Sequence, residues 1–141
     1  MQNFVRLRSL AKINLDLRVL NKRPDGFHDL RTIFQTISLA DTIEIEFSPG
    51  RTRIHLESNL NIPDNLIVRA ADMALHALRK TGRFQIRLRK NIPLGGGLGG
   101  GSSNAAAILL DGMTVDSIPL PMMIQRVIAA AATAPRIWAI Q

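Results

Sequence analysis

Residues 91–107 read NIPLGGGLGGGSSNAAA, and six of the seven positions from Gly95 to Gly101 are glycine. Glycine lets backbone N–H groups approach an anion without a Cβ in the way. The helix formers after Ser102 supply a helix N-terminus, whose free N–H groups and dipole attract phosphate. The hydroxyls of Ser102 and Ser103 fall in the first helical turn, where either can bind a phosphate oxygen or magnesium. The stretch therefore predicts a phosphate loop at a helix N-terminus.

Other interpretations of this stretch fit the sequence less well. A flexible linker is not normally bracketed by an alternating strand and an alanine-rich helix. A P-loop requires lysine directly after its last glycine, and no lysine follows Lys90. Gly95, Gly97 and Gly100 do fit Gly-x-Gly-x-x-Gly. A dinucleotide site also needs a strand ending in an acidic residue about 20 positions on, and the neighbours of Asp116 do not form a clear strand.

The composition is that of a basic chain without cysteine, and 141 residues are enough for one domain with a core. The absence of cysteine excludes disulfides and thiolate metal sites, which favours a reducing, cytoplasmic location. No leader or membrane-spanning run is visible, so no membrane partner is expected. Eighteen Lys and Arg against 11 Asp and Glu give a charge of +7, which predicts an anionic partner or a merely solvated basic surface.

The distribution of basic and aromatic residues bears on which anion is bound. The basic residues are spread over several predicted strands, and the chain has only five phenylalanines and one tryptophan for base stacking. A phosphorylated metabolite is therefore favoured over nucleic acid, and a basic nucleic-acid-binding domain is kept as the alternative from another class.

The hydrophobic periodicity predicts an α+β domain with a mixed, mostly antiparallel sheet packed on helices. The Arg23 to Gly26 segment, Arg-Pro-Asp-Gly, predicts a turn. A helix is predicted over Asn65 to Lys80, with Asp64 as its N-cap and Gly82 marking its end, and a second over Ser102 to Leu110. Strands are predicted at residues 5–19, which form one long strand or two joined by a bulge, and at residues 32–39, 42–47 and 53–57, and these strands are expected to form a largely antiparallel meander. A final strand at residues 84–88 leads to the glycine-rich stretch.

The sequence changes in character after Leu110. Asp111 and Gly112 stop the helix, and residues 122–134 are apolar and alanine-rich with almost no charge. As a helix this segment would lack a polar face and would have to be buried. We therefore predict a domain at residues 1–110 and an atypical apolar tail at residues 111–141.

Two separated motifs carry a family resemblance. The first is Ala11-Lys12-Ile13-Asn14-Leu15, followed by a run from Lys22 to Leu30 that reads KRPDGFHDL and by Thr32-x-Phe34. The second is the glycine-rich stretch. The first motif resembles the 4-diphosphocytidyl-2-C-methyl-D-erythritol kinase family, and the second resembles the ATP-binding motif of the whole GHMP kinase superfamily. The resemblance runs from Val5 to Leu110 and implies a GHMP kinase N-terminal, ATP-binding domain.

The resemblance also implies an activity. Members of that family transfer the γ-phosphoryl group of ATP to the 2-hydroxyl of 4-diphosphocytidyl-2-C-methyl-D-erythritol in non-mevalonate isoprenoid biosynthesis. The expected ligands are thus ATP, Mg²⁺ and a cytidine diphosphate substrate. Because the glycine-rich motif is shared with homoserine, galactose and mevalonate kinases, another small-molecule GHMP kinase is the nearest alternative.

Site residues follow from the same resemblance, position by position. Lys12 matches a lysine that acts on the reacting hydroxyl, and Asn14 an asparagine that binds erythritol hydroxyls. Phe27 and His28 match an aromatic residue and a histidine that hold cytosine, although tyrosine is more usual at the first, and Phe34 matches a second pocket aromatic. Taken singly, each has an ordinary interpretation as a surface, turn or core residue, and it is their joint spacing that favours a site.

The phosphate-binding set is also implied by the resemblance. Asn104 stands where many members have aspartate, and either Ser102 or Ser103 is the expected magnesium ligand. The residues expected to hold ATP are Pro93, Gly95, Gly96, Gly97, Leu98, Gly99, Gly100, Gly101, Ser102 and Ser103.

One feature of the family has no match in this sequence. Members carry a Gly-Ala-Asp-Val-Pro-Phe segment, whose aspartate takes the proton from the attacking hydroxyl, and a C-terminal domain that closes the cleft. The only carboxylates after Asp72 are those of Asp111 and Asp116, in a different context. We therefore expect a chain that is truncated or frame-shifted after about Leu110, lacks the C-terminal domain and has little or no turnover.

Overall fold

The computed structural model describes residues 3–111. The predicted tail lies outside the described residues except for Asp111, so the predicted domain boundary stays a prediction. In chain order the elements are β1 (Asn3–Lys22), β2 (His28–Pro49), β3 (Arg53–Ser58), α1 (Leu66–Leu78), β4 (Gly82–Arg89) and α2 (Gly100–Asp111).

The four strands form one mixed sheet in the order β1-β2-β4-β3. β1 pairs with β2 and β2 with β4 in antiparallel fashion, whereas β3 and β4 are parallel. The predicted α+β class with a mostly antiparallel sheet is confirmed. The predicted meander is wrong, because α1 forms a crossover that inserts β4 between β2 and β3.

The first two strands are longer than the periodicity indicated. β1 runs unbroken through residues 3–22, so of the two predicted possibilities it is one long strand, and its pairing to β2 is irregular at three places. The predicted strands at 32–39 and 42–47 are one strand, β2. The polar residue between them, Asp41, does not lie in a turn but is fully buried.

The helix termini correct three sequence predictions. The N-cap of α1 is Asn65 and not Asp64, since Asn65 Oδ1 accepts the Ile67 N–H at 3.0 Å. The left-handed residue after α1 is Arg79, with φ of 54°, and not a glycine. Gly82 instead begins β4. α2 begins at Gly100, two residues before the predicted start.

The core lies between one face of the sheet and the two helices. The opposite face carries charged side chains, and Arg6 and Arg87 each form an ion pair with Glu44 there. Among residues 3–111, no helix is long and apolar enough to span a lipid bilayer. The buried residues that join sheet and helices are Ile43, Ile45, Phe47, Ile67, Ala70, Ala71, Ala74, Leu75, Phe84, Ile86, Leu88, Ala105, Ile108 and Leu109.

Beyond the core, β1 and β2 continue as a two-stranded ribbon. A turn closes the ribbon where the sequence predicts one, because the Gly26 N–H donates to the Arg23 carbonyl at 3.0 Å and Gly26 has φ of +88°. The ribbon exposes large apolar side chains, including those of Leu15, Leu17 and Ile33.

Candidate phosphate-binding site

The glycine-rich loop connects β4 to the N-terminus of α2, as the sequence predicts. Gly95, Gly97 and Gly99 have φ of +73°, +67° and +71°, values that other residues rarely adopt. The first turn of α2 closes on the loop, since the Ser103 N–H donates to the Gly99 carbonyl at 2.9 Å. The predicted sequence of strand, loop and helix N-terminus is therefore present.

Lys12 attaches this loop to the edge strand of the sheet. Its backbone N–H donates to the Leu98 carbonyl at 2.9 Å. Its side-chain stem covers Gly99, where an added Cβ would lie 3.1 Å from Lys12 Cγ. The loop thus packs on β1 at the residue that the sequence motif singled out.

The head of the Lys12 side chain lies among two other predicted site residues. Lys12 Nζ donates to Asn14 Oδ1 at 2.7 Å, so the two side chains share one side of β1 as expected from their spacing. The ammonium group also lies 5.1 Å from the centroid of the Phe34 ring, a cation–π distance. Phe34 is 56% exposed, so its ring is open to a ligand and is not part of the core.

Phe27 and His28 lie elsewhere, at the closed end of the ribbon. Both are exposed, and His28 pairs with Lys22. Thr36, the partner of Lys12, is eight residues further along β2 than His28. At a strand rise of about 3.3 Å this corresponds to at most about 26 Å. A ligand that touches both ends would have to be extended along the ribbon.

A buried ion pair beneath the loop was not predicted. Asp41 Oδ2 accepts from Lys90 Nζ at 2.5 Å, and the side chains are 0% and 2% exposed. Asp41 Oδ1 accepts the Asn91 N–H at 2.7 Å and the Ile92 N–H at 2.8 Å. Burial raises the pKa of Asp41, but hydrogen bonds from Ile92, Lys90 and Asn91 outweigh burial and hold it below its ordinary value.

Two further polar contacts tie the start of α2 to the sheet. Ser9 Oγ donates to Ser103 Oγ at 2.8 Å. The side-chain amide of Asn104 hydrogen-bonds to Asp41, while Asn104 Oδ1 is buried with no partner within residues 3–111. The sequence gives one sign of these buried polar contacts, since Asp41 is an acid where the alternation of residues 39–45 would place an apolar side chain.

A cavity of about 510 Å³ lies between the end of β3 and the start of α1. Its walls are both apolar and polar, and include Leu56, Leu60 and Asn65. Next to this cavity along α1, Leu66 contacts α2, since an added Cβ on Gly101 would lie 3.6 Å from Leu66 Cδ1.

Comparison with known proteins identifies relatives of this arrangement. The family model described as "GHMP kinases N terminal domain" matches residues 65–118. The 4-diphosphocytidyl-2-C-methyl-D-erythritol kinase of Solibacter usitatus (strain Ellin6076) is 71% identical over 105 residues, which are 74% of this chain and 33% of that relative. This chain therefore spans about a third of the length of that curated relative.

Solved structures share the fold. A crystal structure of 4-(cytidine 5'-diphospho)-2C-methyl-D-erythritol kinase aligns with a TM-score of 0.65 at 36% identity, covering 86% of this chain and 45% of that one. A crystal structure of mevalonate kinase aligns with a TM-score of 0.61 at 18% identity, covering 90% of this chain and 46% of that one, a likeness of fold alone.

Proposed function

Since the chain carries the N-terminal domain of the GHMP kinase family, we propose that it serves the ATP-dependent phosphorylation of the 2-hydroxyl of 4-diphosphocytidyl-2-C-methyl-D-erythritol. The observation that carries the proposal is the double contact of Lys12 with the loop, through Leu98 and Gly99. This contact holds together the lysine that the resemblance places at the reacting hydroxyl and the loop that it places at the ATP phosphates. Support for this substrate comes from the 71% identical relative of that name.

The glycine-rich loop would hold the ATP phosphates. In the proposal, backbone N–H groups of residues 95–103 and the N-terminus of α2 face the anion, with Pro93 and Leu98 as flanking contacts. The cavity of about 510 Å³ that Asn65 lines at the start of α1 is of a size suited to a nucleoside.

Magnesium fits the chemistry of the residues at the start of α2. Ser102 is exposed and Ser103 is half-buried, and their hydroxyl oxygens are hard ligands of the kind that Mg²⁺ prefers. When bound, Mg²⁺ would neutralise charge that develops on the phosphate oxygens.

Lys12 would place a positive charge where the phosphoryl group is transferred. Its ammonium group is oriented by Asn14 and Phe34, so little reorganisation is needed at the moment of transfer. The amide N–H groups of Asn14 are donors for substrate hydroxyls. Catalysis of this kind depends on positioning and electrostatic stabilisation, not on a covalent intermediate.

The far end of the substrate would lie along the ribbon. A cytosine stacked on Phe27 and hydrogen-bonded to His28 would leave the diphosphate and the sugar alcohol to extend towards Lys12. The exposure of Phe27, 43%, leaves its ring available for such stacking.

Binding selectivity tests the proposal. Calorimetric titration with Mg²⁺-ATP and with the cytidine diphosphate substrate should show that both bind, and that homoserine and mevalonate do not. Coupled ADP release then reports transfer. Lys12→Ala should lower whatever rate the chain supports by about 100-fold or more. Lys80→Ala removes the same charge after α1 and serves as the matched control.

Two results would contradict the proposal. Binding of homoserine or mevalonate in place of the cytidine ligand would assign the chain to another GHMP kinase activity. Strongly salt-dependent RNA binding that neither ATP nor the cytidine ligand displaces would indicate a nucleic-acid-binding domain.

A further inference from the structure

We propose that Asp41 is a positioning residue that holds the glycine-rich loop in its phosphate-binding conformation, with Lys90 as its buried counter-ion. The inference rests on the proposed nucleotide site and deepens it. Asp41 lies in β2, 50 positions or more before the residues whose N–H groups it accepts. Asp41 and Lys90 both lie outside the two sequence motifs that predict the site.

Asp41 fixes the direction in which the chain leaves β4. One carboxylate oxygen accepts two consecutive N–H groups, those of Asn91 and Ile92, directly before Pro93. The same junction is held from the side chain, because Asn91 Nδ2 donates to the Ala40 carbonyl at 2.9 Å. The path of the loop is therefore set before its first glycine.

Lys90 supports the other end of the loop. An added Cβ on Gly100, the first residue of α2, would lie 2.9 Å from Lys90 Nζ and 3.0 Å from Ile92 Cγ2. The backbone of α2 thus rests directly on the ion pair. Lys90 is itself fixed by Asn59, whose Oδ1 accepts the Lys90 N–H at 2.7 Å.

Stability alone does not explain why a charged pair occupies this position. A buried ion pair loses the hydration of both charges, and replacing it by apolar residues of similar volume is often neutral or stabilising. The backbone N–H groups of Asn91 and Ile92, however, need an acceptor, which an apolar residue at position 41 cannot supply. The Asp41 oxygen therefore fixes the path of the loop by accepting these N–H groups, and Lys90 neutralises the negative charge of the carboxylate.

Two double variants separate the acceptor from the charge. Asp41→Leu with Lys90→Met removes both charges and the acceptor oxygen. Asp41→Asn with Lys90→Met removes both charges but keeps an oxygen for the N–H groups, and the Asn104 amide can turn its unpartnered oxygen towards the new NH₂ group. Phe84→Leu, in the core at the opposite end of β4, is the control for loss of stability at a distance from the loop.

Three measurements are made on each variant: unfolding in urea, affinity for Mg²⁺-ADP, and hydrogen exchange of the loop amides, which are the N–H groups of Lys12 and Ser103 that donate to the loop carbonyls of Leu98 and Gly99. For the leucine–methionine variant we expect loop amides that exchange at least about tenfold faster, and Mg²⁺-ADP affinity lower by about tenfold or more. The asparagine–methionine variant should stay within about threefold of the parent in both. Phe84→Leu should lower stability without a selective change in the loop.

Loop amides unchanged in the leucine–methionine variant would overturn the inference. Equally fast exchange in the asparagine–methionine variant would also overturn it, because that variant keeps the acceptor oxygen. If the leucine–methionine variant does not fold, the asparagine–methionine variant decides alone. Loss of protection of the loop amides in it would show that the acceptor oxygen does not position the loop. Failure of the parent chain to bind nucleotide would count against the proposed function alone, because hydrogen exchange measures loop positioning without a ligand.

Discussion

The backbone N–H of Lys12 donates a 2.9 Å hydrogen bond to the carbonyl oxygen of Leu98. This bond joins an edge strand, whose free N–H groups would otherwise face solvent, to the middle of a loop of glycines that has few side chains to pack with. Together with the stem of Lys12 over Gly99, it makes the position of the loop depend on β1.

Asn14 orients the Lys12 ammonium group through a 2.7 Å hydrogen bond. Asn14→Leu removes that acceptor and the amide donors proposed for the substrate, so affinity for the cytidine diphosphate substrate should fall by about tenfold, the value of one hydrogen bond to a charged group. Affinity for Mg²⁺-ATP should change less. Calorimetric titration of both ligands checks this, with the exposed Gln35→Leu as control, and an unchanged substrate affinity would remove Asn14 from the site.

Phe27 is an exposed ring at the closed end of the ribbon. If cytosine stacks on it, Phe27→Ala should weaken binding of the cytidine diphosphate substrate by about 1–3 kcal/mol, and Phe27→Tyr should preserve binding. Mg²⁺-ATP affinity should not respond to either change. Leu30→Ala removes another exposed apolar side chain of the same ribbon and controls for general loss of surface, so an equal effect of both alanine variants would argue against stacking.

Gly82 packs against Phe47 at the start of β4. An added Cβ there would lie 2.2 Å from a ring carbon of Phe47, so Gly82→Ala should destabilise the fold by about 1–3 kcal/mol or more through overpacking. At Gly101, in α2, the added Cβ would make an ordinary 3.6 Å contact, and Gly101→Ala should raise stability by up to about 1 kcal/mol through helix propensity. Urea unfolding of both variants checks the contrast, and equal effects would contradict this packing.

The lowered pKa of Asp41 predicts how stability depends on pH. Because the pKa in the folded state lies below the ordinary value of 3.8, the carboxylate stabilises the fold above that value and loses its contribution as the pH falls through the lowered pKa. Unfolding free energy of the parent should therefore fall more steeply below about pH 5 than that of the double variant Asp41→Asn with Lys90→Met. Parallel curves for the two proteins would show that Asp41 does not contribute.

The sequence predicted the elements of this fold better than their arrangement. Alternation and glycine content gave the strands, the turn at Gly26 and the loop before α2, because these depend on nearby residues. The order of the strands depends on the crossover through α1, which no local pattern encodes. The N-cap was assigned one residue early because Asp64 and Asn65 both suit that position.

Among the candidate site residues, too, contacts between near neighbours in the sequence could be predicted and contacts between distant residues could not. The shared side of Lys12 and Asn14 follows from the two-residue period of a strand, and the structure confirms it. The contact between Asp41 and the loop joins residues 50 positions apart, and a buried acid in a strand gives no sign of its partner in the sequence. Periodicity treated that acid as a break between two strands.

A double-mutant cycle between Lys12 and Gly99 tests most directly whether the lysine and the loop act as one phosphate-binding unit. Mg²⁺-ATP affinity is measured for the parent, Lys12→Ala, Gly99→Ala and the double variant. Gly97→Ala is the control for backbone strain, because Gly97 also has a positive φ but an added Cβ there would contact nothing. Since Lys12→Ala removes the stem that a Cβ at position 99 would strike, we predict non-additive effects, with a coupling of at least about 1 kcal/mol. Additive losses would contradict the account.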